Sequence, residues 1–120
     1  GNPLTPEMTD GLCKVLDLTR PFDIGKFDLV FCLEVGEHIP VQYKDVFLDN
    51  IVNACGWVVV LSWAIVGSEW EGHVNCQNND YAINEMAKRG MVFDEEATRY
   101  IRTHLKYWGH FSDSTMVFEK

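Results

Sequence analysis

Apolar positions along the chain fall into two dense runs separated by a stretch of different period. Residues 27–33 (FDLVFCL) and 57–65 (WVVVLSWAI) are apolar at nearly every position. Runs this short and continuous suit strands buried on both faces, as in a parallel sheet covered by helices. The second is also β-branched at its centre, which favours extended backbone. Between them Tyr43, Phe47 and Ile51 recur at i, i+4 and i+8 with Leu48 and Val52 alongside, the stripe of an amphipathic helix. Pro40 stands where a first helical turn tolerates it, and Gly56 lies just past the expected end.

The flanks are weaker in pattern. The opening GNPLTPEMTDG carries two prolines and two glycines and reads as a turn-rich lead-in. Residues 14–18 (KVLDL) read as a short strand ending on Asp17, with a turn through 21–26. After a Gly- and Asn-rich loop, Asp80 can cap a helix carrying Tyr81, Ile83, Met86 and Ala87, stopped by Gly90. Residues 91–93 form a short strand. Asp94 caps another helix with Ala97, Ile101 and Leu105 on one face, and residues 115–119 (TMVFE) form the last strand. Alternating strands and helices predict an α/β sheet with right-handed crossovers.

Length and charge narrow the class. A chain of 120 residues is one domain, residues 1–120, able to bury roughly two thirds of its unfolded surface. With 10 basic and 18 acidic residues the net charge is -8. That balance argues against nucleic acid or an anionic membrane as the main partner. The late basic residues Lys88, Arg89, Arg99, Arg102 and Lys106 are expected on solvated helix faces. The four cysteines form no C-x-x-C pair, and two sit within apolar runs as small hydrophobes. No signal peptide is visible and no apolar run approaches the ~20 residues of a bilayer span. A reduced, cytoplasmic setting is expected.

In open α/β sheets ligands lie beyond the carboxyl ends of the strands, and three strand ends here carry polar chemistry. These are Asp17, the segment Glu34 to His38, and Ser62 with Trp63, followed by a loop bearing His73 and Asn75. Ionised carboxylates in such places accept hydrogen bonds from hydroxyl or amino groups. Each residue also has a plainer reading. Glu34 and Glu37 suit the positive end of the following helix. His38 and His73 can simply fasten loops, and Asp17 is a common strand-to-turn residue. Asn78, Asn79 and Asp80 are turn and cap material. A metal site from Glu37, His38 and His73 has little support in their spacing, so no metal is expected.

The combination is more specific than its parts. FDLVFCLEVGEHIP, a helix, a glycine and then WVVVLSWA resemble the latter half of a class I S-adenosylmethionine-dependent methyltransferase. In that family a strand reading "fDlV" ends in E-x-x-E-H-[IL], here Phe27, Asp28, Leu29 and Val30 followed by Glu34, Glu37, His38 and Ile39. KVLDL is similar to the family's third strand, and the loop GHVN (72–75) to the loop bordering the acceptor pocket. The resemblance implies a partial Rossmann-like sheet with helices on both faces, mostly parallel with an antiparallel last strand. It implies S-adenosylmethionine as cofactor, with Asp17, Leu18, Glu34 and Val35 on its adenine side. Glu37, His38 and His73 would face the acceptor, His38 as general base.

The departures from the family shape further expectations. No G-x-G-x-G loop occurs, and the ribose-binding acid of the second strand is missing. Gly36 replaces the family's larger apolar residue, which is expected to loosen the following helix. The chain reads as a methyltransferase-like domain without its first two strands, so its strand edge lacks natural neighbours. Either KVLDL moves in beside FDLVFCL or a second copy covers the edge, which implies a homodimer or edge-strand pairing. The expected function is methyl transfer from S-adenosylmethionine to a small acceptor, incomplete in this chain alone. The alternative is a non-catalytic interaction or dimerisation module.

Overall fold

The computed structural model describes residues 5–68 and 70–120; residues 1–4 of the expected turn-rich lead-in lie outside these. The elements in chain order are α1 (Thr5–Met8), β1 (Phe27–Cys32), α2 (Lys44–Ala54), β2 (Cys55–Ser62), α3 (Asn79–Ala87), β3 (Val92–Phe93), α4 (Glu95–His104), α5 (Phe111–Ser114) and β4 (Thr115–Glu119). Two single turns of 3-10 helix, Gly36–His38 and Val41–Tyr43, lead from β1 into α2.

The sheet order is β1-β2-β4-β3. β1 and β2 pair in parallel, with Phe31 opposite Val60, while β4 runs against β2 and β3, with Val60 opposite Val117 and Phe93 opposite Phe118. Three strands therefore run one way and the last runs against them, as the resemblance implied. α2 and α3 cover one face. Phe47, Leu48, Ile51, Ala82 and Met86 meet Cys32, Val59, Leu61, Met116 and Phe118 there in a single core. α4 lies on the other face, where Ile101 and Leu105 line a cavity of about 390 Å³ with Phe31, Val60 and Thr115.

Two strand expectations are corrected. Residues 27–33 are not buried on both faces: Phe27, Leu29 and Phe31 are 50, 47 and 64% exposed. The reason is position. β1 is the edge strand, and on that face α4 packs over β4, sharing a cavity only with Phe31 of β1 and with Leu33 just beyond it. Residues 14–18 form no strand and do not join β1. Instead the buried Asn50 of α2 fastens the segment that follows. Its Nδ2 donates to the carbonyls of Leu18 (3.3 Å) and Arg20 (2.9 Å), and its Oδ1 accepts from the Phe22 amide (3.2 Å). A buried amide that satisfies three backbone groups of a passing loop replaces the ladder that segment lacks.

Of the late basic residues, Lys88, Arg99 and Lys106 are exposed as expected, whereas Arg89 and Arg102 are not. Arg89 is half-buried and holds Asp45, Asp49 and Glu85, and Arg102 Nε donates to the Thr115 carbonyl at 2.7 Å. The Asp94 cap is present, its Oδ1 accepting from the Ala97 amide at 2.8 Å. Asp94→Ala is expected to lower unfolding free energy by about 1 kcal/mol, read from the urea midpoint at unchanged slope.

Candidate active site

The peptide leaving β1 turns sharply. Glu34 has φ +53°, a left-handed backbone that costs a non-glycine residue about 1 kcal/mol. A reciprocal clasp with β2 offsets that strain. The Glu34 amide donates to Ser62 Oγ (2.8 Å), and the Ser62 hydroxyl donates back to Glu34 Oε1 (2.7 Å). Ser114 Oγ adds a second bond to that carboxylate oxygen at 3.3 Å, and His110 Nε2 lies 3.5 Å from Glu34 Oε2.

The 3-10 turn then carries Gly36 beneath Trp63 and aims Glu37 inward. Gly36 does not loosen this turn. A Cβ there would lie 2.3 Å from the indole, so Trp63 occupies the volume of the larger residue expected at position 36. Trp63 is fully buried, edge-on to Phe47 and Tyr81, and its Nε1 donates to the Asn75 carbonyl at 2.7 Å. Size has been exchanged between the two positions, and the turn is tightly held.

Glu37 is completely buried. Its carbonyl accepts from the Val74 and Asn75 amides (2.8 and 3.0 Å), which docks the 72–75 loop against the turn. Asn75 Nδ2 completes the docking through the Ile39 carbonyl at 3.1 Å. Of the Glu37 carboxylate, Oε2 accepts a long bond from the Ala64 amide (3.4 Å), while Oε1 has no hydrogen-bond partner among the described residues. His38 Nε2 stands 3.6 Å from that oxygen. His38 Nδ1 is 2.9 Å from the Gly72 carbonyl, and His73 Nδ1 is 2.7 Å from the Ser68 carbonyl. A carbonyl only accepts, so in both rings Nδ1 carries a proton and Nε2 is the nitrogen left facing away from the backbone. The two imidazoles meet edge to face with centroids 4.9 Å apart.

These groups line one cavity of about 470 Å³, with walls from Glu34, Glu37, His38, Ala64, Ser68, Trp70, His73 and His110. It lies beyond the carboxyl ends of β1 and β2, where an open α/β sheet binds its ligands.

Comparison with known proteins bears on what this cavity is. No family model matches the sequence. Over 49 residues the chain is 39% identical to the chloroplastic tocopherol O-methyltransferase of Arabidopsis thaliana, a match spanning 38% of this chain and 14% of that protein. The crystal structure of magnesium protoporphyrin IX methyltransferase from Synechocystis PCC 6803 with bound SAH superposes with a TM-score of 0.52. That likeness, at 18% identity, covers 87% of this chain and 48% of the other. The chain has the class I methyltransferase fold. It spans about half the length of the methyltransferase structure it matches, and a smaller share of the matched plant enzyme.

Against the methyltransferase expectations, the sites divide unevenly. Glu34, Glu37, His38 and His73 come together in the cavity, although Glu34 was expected on the cofactor side and the other three on the acceptor side. Asp17, Leu18 and Val35 do not line it. Leu18 and Val35 pack half-buried against the core. Asp17 closes a local turn: Thr19 donates to its Oδ1 from both amide (3.0 Å) and hydroxyl (2.6 Å), and Arg20 Nε lies 3.2 Å from Oδ2. The Thr19 hydroxyl bond is the main reason its carboxyl sits below the usual range. His110 and Ser114 were missed, since Ser114 lies 80 residues from Glu34 in sequence with no local pattern linking them.

Proposed function

We propose that this chain forms the acceptor side, and part of the cofactor side, of an S-adenosylmethionine-dependent methyltransferase acting on a small molecule. The observation that carries this reading is the cavity of Glu34, Glu37, His38 and His73 at the strand ends of a methyltransferase fold. The residues present fit the cofactor in part. Glu34 Oε2 is a carboxylate oxygen in the cavity wall, able to accept from a hydroxyl, whereas Leu18 and Val35 lie outside that wall. When bound, the cofactor supplies an electrophilic methyl group on sulfur, so the protein's share is positioning and proton removal. His38 suits proton removal, because with Nδ1 committed to Gly72 its free Nε2 can accept a proton from an acceptor hydroxyl.

The open edge of β1, with Phe27, Leu29 and Phe31 exposed beside it, supports pairing with a further strand, in a second copy of the chain or another partner. A reducing compartment such as the cytoplasm is in keeping with the thiols of Cys13, Cys32 and Cys55, the first of them exposed. Among the described residues no helix is long and apolar enough to cross a membrane.

Calorimetric titration with S-adenosylmethionine and with its demethylated product tests the reading. Binding near micromolar, roughly -8 kcal/mol, is expected, with Glu34→Ala weakening it at least about tenfold. Absence of heat at millimolar ligand would overturn the proposal for this chain alone and leave the non-catalytic module.

A further inference from the structure

The cavity has an excess of acceptors. Its walls carry two carboxylates and three imidazoles but, among the described residues, no lysine or arginine. Glu37 Oε1 is fully buried without a donor. A buried carboxylate oxygen in that state requires an explanation, and an ion is one of the few available.

We propose that Glu37, His38 and His73 bind a divalent cation of borderline hardness, of the Zn²⁺ class. One ligand atom from each of the three lies within 4.8 Å of the others, and the Glu37 Oε1 to His38 Nε2 separation is already 3.6 Å. Around a tetrahedral metal with bonds of about 2.1 Å, neighbouring ligand atoms sit roughly 3.4 Å apart. Modest rotation of His38, about half exposed, and His73, half-buried, closes the difference. The surroundings match what ligating histidines need. Each ring donates Nδ1–H to a backbone carbonyl, Gly72 for His38 and Ser68 for His73, which leaves Nε2 as the ligand nitrogen while still allowing that small rotation.

Gly72, at φ +88°, aims its carbonyl from a backbone shape that suits glycine. Two imidazoles and one carboxylate form a mixed nitrogen and oxygen set, which favours zinc-like ions over calcium or magnesium. Three protein ligands leave at least one position open to the cavity. The methyltransferase reading matters only for how such an ion would be used: with the cation bound, His38 is a ligand rather than a base, and a coordinated acceptor hydroxyl loses its proton to solvent more readily.

The test is titration of the chelator-treated chain with Co²⁺, followed by visible absorption, and with Zn²⁺, followed calorimetrically. A single equivalent of each should bind, with weak cobalt bands and no thiolate-to-metal charge-transfer band. Glu37→Gln and His73→Ala should each weaken binding by more than about 100-fold, beyond the loss from an outer-shell partner, while His104→Ala should change nothing. Far-UV circular dichroism establishes that each variant is folded. If Glu37→Gln unfolds, His73→Ala decides, because its side chain is not in the core. A thiolate band, binding that survives His73→Ala, or no binding at all would overturn the proposal. S-adenosylmethionine affinity is read on the same samples: its retention without metal binding removes the cation site alone, and its loss with metal binding intact removes the methyltransferase reading alone.

Discussion

Gly36→Ala is expected to cost at least about 3 kcal/mol of stability, at the upper end of overpacking, and to lower the melting temperature by more than about 10 °C. The added carbon would stand 2.3, 2.5 and 2.6 Å from three atoms of the Trp63 ring. The indole cannot retreat. Phe47 and Tyr81 hold it at centroid distances of 5.8 and 6.0 Å, and its N–H is tied to the Asn75 carbonyl. Relief must come from moving the turn, which would also shift Glu37 and the loop that its carbonyl docks. Urea unfolding measures the cost. In the same experiment Trp63→Phe should recover part of the loss in the Gly36→Ala background while destabilising the parent. A loss below about 1 kcal/mol, or equal effects of Trp63→Phe in both backgrounds, would mean that the two residues are not coupled by volume.

Acid sensitivity should trace largely to Glu85. This buried carboxylate accepts from Lys44 Nζ at 2.7 Å, Lys88 Nζ and Arg89 Nη1 at 3.2 Å, and Arg89 is bound in turn by Asp45 and Asp49. The bond from Lys44, then that from Lys88, holds its carboxyl down at about 2, against an ordinary value of 4.5, despite burial that works the other way. Because the folded value is the lower one, its stabilisation is fully present above pH 4.5 and is lost as pH falls towards 2. The loss should reach no more than about 3 kcal/mol, from 1.36 kcal/mol per unit of pKa. Glu85→Gln should remove this acid-dependent part. It should also lower stability at pH 7 by roughly 3 kcal/mol, because the poorly exposed Arg89 loses its central carboxylate. Urea titrations of both proteins from pH 7 to pH 2 check this. Parallel curves would assign the acid sensitivity to other carboxylates.

Much of the frame is legible in local pattern. The apolar runs mark β1 and β2, the 43–47–51 stripe marks α2, and Asp94 marks the start of α4. What escapes is whatever depends on neighbours distant in sequence. KVLDL has strand composition, but a strand exists only with a partner, and the Asn50 amide meets those backbone groups instead. FDLVFCL looks doubly buried because composition does not show whether a helix lies over an edge strand. Gly36 reads as a loose point until Trp63 is found in the space. At the site, the E-x-x-E-H spelling exposes Glu34, Glu37 and His38 together, whereas the approach of His73 depends on a loop docked by the Glu37 carbonyl. Spacing along the chain therefore does not show that the fold brings possible ligand atoms of Glu37, His38 and His73 within 4.8 Å of one another.

The sheet order carries a consequence for biosynthesis. β4 lies between β2 and β3, although it is the last of the four to be translated. The parallel β1–α2–β2 unit can close as soon as Ser62 has left the ribosome, since its partners are local. β3 has no such option: its two ladder pairs are both with β4, so Val92 and Phe93 wait while the intervening helices are made. During that interval the β4-facing edge of β2 is uncovered as well as the outer edge of β1, leaving a nascent sheet with two apolar margins. A chaperone that binds extended apolar backbone would find its best target in this window, before residues 115–119 emerge and seal one of them.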